Sequence, residues 1–74
     1  MIKKIDKELP QVEKLILEYL STVKEPKTTY EIAKALGISW ATVSLHCTRL
    51  RAMGLIKSEE KISKTGAKKI VWWV

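Results

Sequence analysis

Residues 30–56 read YEIAKALGISWATVSLHCTRLRAMGLI, and how this stretch divides decides the fold. Thr28 and Glu31 stand as Thr-x-x-Glu ahead of an apolar stripe, Ile32, Ala33 and Leu36. That spacing is a capping box, in which hydroxyl and carboxylate each satisfy a free N–H at a helix start. Gly37 follows Leu36, where a helix most readily ends on a left-handed residue. Ile38 turns inward, and Ser39 suits the N-cap of a second helix. There Val43, Cys47 and Leu50 recur at steps of four and three and share one face, bordered by His46 and Met53. Gly54 ends this helix. The helices are expected over 29–36 and 39–53, and small Ala33 lets them approach closely. Two helices at a steep angle across a tight glycine turn form a helix-turn-helix.

At about 100° per residue, the outer face of the second helix carries Ala41, Ser44, Leu45, Thr48 and Ala52. Thr42 and Arg49 flank it on one side, Trp40 and Arg51 on the other. The face is small, hydroxylated and edged with arginine. In a helix-turn-helix this second helix is the one offered to the major groove of DNA.

Ahead of the motif, Pro10 suits the first turn of a helix. Val12, Leu15, Ile16, Tyr19, Leu20 and Val23 then recur at helical steps, which predicts an amphipathic helix over 10–24. Glu13, Lys14 and Glu18 read as its solvated side. Pro26 ends it, and residues 27–29 form a linker with room for a very short strand. Behind the motif, Leu55-Ile56 begins a strand running to about Ile62. Residues 63–68, SKTGAK, make a polar tip, and residues 69–74, KIVWWV, make a β-branched and aromatic returning strand. Period two sets Ile70, Trp72 and Val74 against Val71 and Trp73. The expected fold is α+β: a three-helix bundle followed by a two-stranded antiparallel hairpin over 55–74, all in one domain spanning 1–74.

The chain has 74 residues, a net charge of +6 and a pI of about 9.6. A small basic domain points to a polyanionic partner. Residues 1–27 hold six lysines against five acids, so the excess lies elsewhere: Arg49 and Arg51 in the second helix, and five lysines against two acids after residue 56. Cys47 is the sole cysteine, which fits a reducing compartment. No apolar run suits a membrane span, and MIKKIDKELP lacks a signal peptide's apolar segment. An intracellular, cytoplasmic protein is expected.

Helix, helix, turn, helix and a hairpin with a basic tip resemble the winged helix-turn-helix of prokaryotic transcription regulators. The residues that carry the likeness are Glu31-Ile32-Ala33, Leu36-Gly37-Ile38-Ser39, Ala41-Thr42-Val43-Ser44, His46, Leu50 and Gly54-Leu55-Ile56. They are similar to A-x-x-L-G-[IV]-S-x-x-T-V-S-x-H-[LI]-x-x-L-x-x-x-G-L-[IV] of multiple-antibiotic-resistance-type, arsenic-resistance-type and leucine-responsive-type regulators. The likeness spans residues 28–74; its helix-turn-helix part is specific and its hairpin part generic. A stand-alone domain of this size resembles those of archaea and their viruses.

The resemblance implies double-stranded DNA as partner, bound by a transcription regulator, and the small size of the chain adds the expectation of a homodimer. It places Ser39, Trp40, Ala41, Thr42, Ser44, Leu45, Thr48 and Arg49 at the major groove. It places the wing, residues 63–69, with Lys64, Lys68 and Lys69, on the backbone or minor groove. Thr28 joins these as a contact candidate. The chain departs from the pattern at Leu45 and Trp40, where the family often has basic or polar residues, and at Cys47, where it usually has Leu or Ile. Discrimination then rests on Arg49, Thr48, methyl contacts from Leu45 or Ala41, and DNA shape. Apolar residues left over at Ile2, Ile5 and Leu9 and on the terminal strand, Trp72 to Val74, suit the pairing of two copies. There is no room for an effector domain, so no small-molecule effector is expected.

His46 has no second histidine to share a metal with, and Cys47 diverges from it along the helix. Zinc needs three or four protein ligands, so His46 reads as a packing or hydrogen-bonding residue. No metal or other cofactor is expected. Nor does any nucleophile–base pair, phosphate loop or carboxylate pair point to an enzyme. The competing reading is a winged helix used as a protein–protein module of a larger assembly. Its contact surface would be Trp40, Ala41, Leu45 and the terminal tryptophans, with incidental charge.

Overall fold

A computed structural model describes residues 10–74. In chain order the elements are α1 (Gln11–Val23), β1 (Lys27–Thr28), α2 (Thr29–Leu36), α3 (Trp40–Ala52), β2 (Lys57–Ile62) and β3 (Lys68–Trp73). Three helices followed by an antiparallel β2–β3 hairpin give the α+β winged-helix architecture. The linker ahead of α2 contributes a third strand: Lys27 pairs with Trp72 and Thr28 with Val71, so the sheet order is β1-β3-β2.

The core lies where the three helices meet the C-terminal end of β3. Ile16 and Leu20 of α1, Ile32 and Ala33 of α2, and Val43, Cys47 and Leu50 of α3 are buried together with Ile56 and Trp72. Leu36 and Ile38 pack against this cluster from the turn. Ile38 is held there because its N–H donates to the Ala33 carbonyl at 3.1 Å, across Gly37 at φ +69°. This closes the end of α2 as a Schellman turn. The end of α3 repeats the device at Gly54, φ +78°, with the Leu55 N–H donating to the Leu50 carbonyl at 3.0 Å. Leu55 and Ile56 are thus taken up in leaving the helix, and β2 begins two residues later, at Lys57.

Trp72 ties sheet to bundle. It is 3% exposed, and its indole Nε1–H donates to the Thr29 hydroxyl at 2.9 Å. Trp72 is buried while Ile70 and Val74, expected on the same face, are exposed. Val71, on the opposite face, is buried between Thr28 and Glu59. Position under the bundle and within the three-stranded sheet therefore overrides simple alternation.

Glu13 corrects the sequence reading of α1. It is 0% exposed rather than on a solvated side. With Ile16 and Leu20 it stands at i, i+3 and i+7 on the buried face. Ile2, Ile5 and Leu9, suggested above as a pairing surface, lie outside the described residues. No helix among the described residues is long and apolar enough to cross a membrane.

Candidate nucleic-acid interface

The entry to α2 is built as the spacing requires. The Thr28 hydroxyl accepts from the Glu31 N–H at 3.0 Å, and the Glu31 carboxylate accepts from the Thr28 N–H at 2.9 Å. That backbone hydrogen bond, helped by the Lys27 and Lys69 charges, holds the Glu31 carboxyl below its ordinary value. Thr28 is therefore half-buried, with its hydroxyl committed to the cap.

The N-terminus of α3 is prepared in the same way. Ser39 Oγ accepts from the Thr42 N–H at 3.1 Å and donates to Thr42 Oγ1 at 2.7 Å. The Thr42 hydroxyl proton remains available for a ligand acceptor. Further along, Thr48 Oγ1 donates to the Ser44 carbonyl at 2.8 Å. Thr48 thus offers an outside partner its methyl group and lone pairs but no donor.

The outer face of α3 stands free among the described residues: Ala41, Leu45, Thr48 and Ala52 are exposed, Leu45 at 59%. A groove of about 490 Å³ separates the start of α3 from the hairpin. It brings together Thr28, Trp40, Ser44, Lys68 and Lys69, with Tyr30 and Ile70 on its walls. Trp40 is 58% exposed there, and on its other side it lines a second hollow with Tyr30, Ala33 and Ile38. Leu45, Thr48 and Arg49 lie outside this groove.

The hairpin tip is stiffened by its own hydrogen bonds. The Gly66 N–H donates to the Ser63 carbonyl and the Ser63 N–H to the Ala67 carbonyl, each at 2.9 Å. The Ala67 N–H also reaches Ser63 Oγ at 3.2 Å, and Ser63 Oγ lies 2.9 Å from Thr65 Oγ1. Gly66, at φ +87°, supplies the left-handed residue that this turn needs. Lys64, Lys68 and Lys69 are exposed around it. Register adds a residue that composition did not single out: Lys61 is the cross-strand partner of Lys69. Like charges directly opposite each other repel, so the pair favours an anion near it.

Two residues on the edge of α3 meet a group outside the motif. Glu13 Oε2 accepts from His46 Nδ1 at 2.8 Å and from Arg49 Nε at 2.9 Å. A carboxylate accepts only, so the Nδ1 of His46 carries the proton. His46 is thus a hydrogen-bonding residue. Arg49 pairs with this buried acid while its side chain stays 58% exposed. Cys47 behind them is buried, and desolvation pushes its thiol up to about 12. No group of three metal-ligating side chains converges among the described residues.

A family profile described as "Bacterial regulatory protein, arsR family" matches residues 14–58. The match takes in most of α1, both helices of the motif and the first residues of β2. No match to a curated protein was found.

Proposed function

The chain belongs to the arsR family of bacterial regulatory proteins, and from that premise we propose that it binds double-stranded DNA as a homodimeric transcription regulator, with α3 in the major groove and the wing on the backbone or minor groove. The observation that carries this reading is the two-sidedness of α3. Val43, Cys47 and Leu50 are sealed at 0%, while Leu45 on the other side is 59% exposed. A helix anchored on one side and bare on the other fits a groove wide enough to admit it.

Roles divide by chemistry. Lys64, Lys68 and Lys69, joined by Lys61, supply phosphate contacts that set grip and register. The α3 N-terminus at Ser39 adds N–H groups suited to a phosphate. Thr42 and Ser44 are hydroxyl contacts, and Thr28 and Trp40 line the strand path beside the wing. Ala41, Leu45 and the Thr48 methyl suit thymine methyl groups, and Arg49 is the long donor for a base edge. Two copies would read half-sites about one helical turn, roughly 10 base pairs, apart. Exposed Val74, just past the terminal strand, would contribute to an apolar surface for the second copy.

Selection of bound fragments from random duplex DNA, followed by titration at several salt concentrations, tests the reading. Expected are enriched sites with two-fold symmetry and an affinity that falls steeply with salt. Absence of duplex binding at low salt would refute it. Exposed Tyr30, Trp40 and Leu45 would then favour the protein–protein module, while a preference for single strands would favour an aromatic platform.

A further inference from the structure

Glu13 is a charged group placed where a charge is costly. It lies on α1, outside the helix-turn-helix, and is fully buried. A buried carboxylate is tolerated when it is paired and hydrogen-bonded. Both of its donors, His46 and Arg49, come from neighbouring turns of α3. Its other oxygen, Oε1, has no partner among the described residues, so its contacts are concentrated on the recognition helix.

Arg49 is held at one end and open at the other. Its Nε–H is engaged by Glu13 at 2.9 Å, yet its side chain is 58% exposed. The terminal Nη groups have no hydrogen-bond partner among the described residues. A guanidinium is planar, with donors in a rigid fork. Fixing Nε therefore fixes the direction in which the remaining donors point. Lysine has a single ammonium head and cannot serve a buried acid and an outside acceptor in the same rigid way.

We propose that Glu13 is a positioning residue for DNA reading. Through Arg49 Nε it orients the guanidinium before DNA arrives, so that the Nη donors meet a base edge without first losing rotamer freedom. His46, donating from Nδ1, keeps the carboxylate in register with α3. Glu13 and Arg49 cancel in charge, so the unit supplies direction rather than net attraction. This inference rests on the reading of α3 as the groove-binding helix.

The test uses the full chain, a duplex selected by the unaltered protein, and random duplex. The proteins are the unaltered chain, Glu13→Met, which has no acceptor for Arg49 Nε, Arg49→Lys and the double variant, each checked for folding by urea melts. Each single substitution should lower the selected-to-random affinity ratio about tenfold. The double variant should lose no more than the larger single loss, and the salt slope should change by less than about one ion. If Glu13→Met does not fold, Arg49→Lys and the Arg49 Nε–H NMR signal of the unaltered free protein decide. A slowly exchanging signal together with a tenfold loss in Arg49→Lys supports the proposal; a freely exchanging signal or an unchanged ratio overturns it. Losses that multiply in the double variant, or an Arg49→Lys loss without one in folded Glu13→Met, overturn the positioning role alone. An unaltered protein that does not discriminate between the duplexes removes the groove reading and this inference together.

Discussion

Replacing Thr29 by Val tests how the wing is joined to the helices. The two side chains have nearly the same shape, so the change removes one hydroxyl and little else. In the structure that hydroxyl accepts the Trp72 indole N–H at 2.9 Å, and both residues are buried, Thr29 at 6% and Trp72 at 3% exposed. Thr29→Val therefore leaves a buried donor without an acceptor, which costs about 1–3 kcal/mol. Removing the indole N–H by Trp72→Phe deletes the same bond and also leaves unfilled volume in the core, for a total of about 2–4 kcal/mol. Combining the two removes donor and acceptor together. The double variant should then be more stable than the sum of the single losses predicts, by about 1 kcal/mol. A domain of this length has a total stability of roughly 4–11 kcal/mol. Thr29→Val alone should thus lower Tm by about 5–15 °C. Urea and thermal melts followed by far-ultraviolet circular dichroism measure all four proteins on one scale. A Thr29→Val variant within about 0.3 kcal/mol of the parent, or strictly additive losses, would show that apolar contact alone holds the wing.

Thr28→Ala removes the α2 cap and should cost about 1 kcal/mol at neutral pH. The cap bond holds the Glu31 carboxyl below 4.5 in the folded state. Its contribution is present in full above the unfolded value and is lost as pH falls through the folded one. Thr28→Ala keeps the backbone N–H that makes this bond, so the stability gap expected to narrow in acid melts is the one between parent and Glu31→Gln; a gap constant down to unfolding would contradict the bond. The Cys47 thiol, buried and raised to about 12, should react with a disulfide reagent at pH 8 no faster than the protein unfolds, and should become fully reactive in urea. Lys61→Ala and Lys69→Ala should each shorten the salt slope of duplex binding by about one ion without destabilising the free protein, since each relieves the Lys61–Lys69 opposition. An unchanged slope would move the DNA strand away from the wing.

The parts of the fold that were legible in the sequence are those fixed by short-range geometry. Thr28 with Glu31, Gly37, Ser39 and the Val43–Cys47–Leu50 stripe each specify a helix end or a buried face within a few residues. Glu13 was misread because its residue type spoke for solvent, although its spacing with Ile16 and Leu20 placed it on the buried stripe. What makes it tolerable there are His46 and Arg49, 33 and 36 positions away, and no local pattern reports such a pair. The terminal strand failed in another way. Alternation says which side chains share a face, but burial depends on what covers that face, and only part of β3 lies under the bundle. The register opposing Lys61 and Lys69 is likewise fixed by the Ser63–Ala67 turn rather than by composition. The Thr48 bond to the Ser44 carbonyl was also missed, although it is local: a mid-helix threonine can bond four residues back.

These details separate grip from reading in the candidate interface. Of the four hydroxyls at the start and outer face of α3, two are committed: Ser39 donates to Thr42, and Thr48 to its own helix, while Thr42 and Ser44 keep their donors among the described residues. Arg49 is neutralised by Glu13. The wing lysines have no ion-pair partner among the described residues and face solvent. Attraction to a phosphate backbone is therefore concentrated on the wing, where salt weakens it. On the proposed reading, discrimination would be left to a few apolar contacts and one guanidinium whose direction is set from α1. A surface of this kind compensates for having few long donors by holding one of them still. If Arg49 reads a base edge as proposed, the Glu13 carboxylate would bear on selectivity as directly as any side chain on the outer face of the helix, although it is buried beneath it.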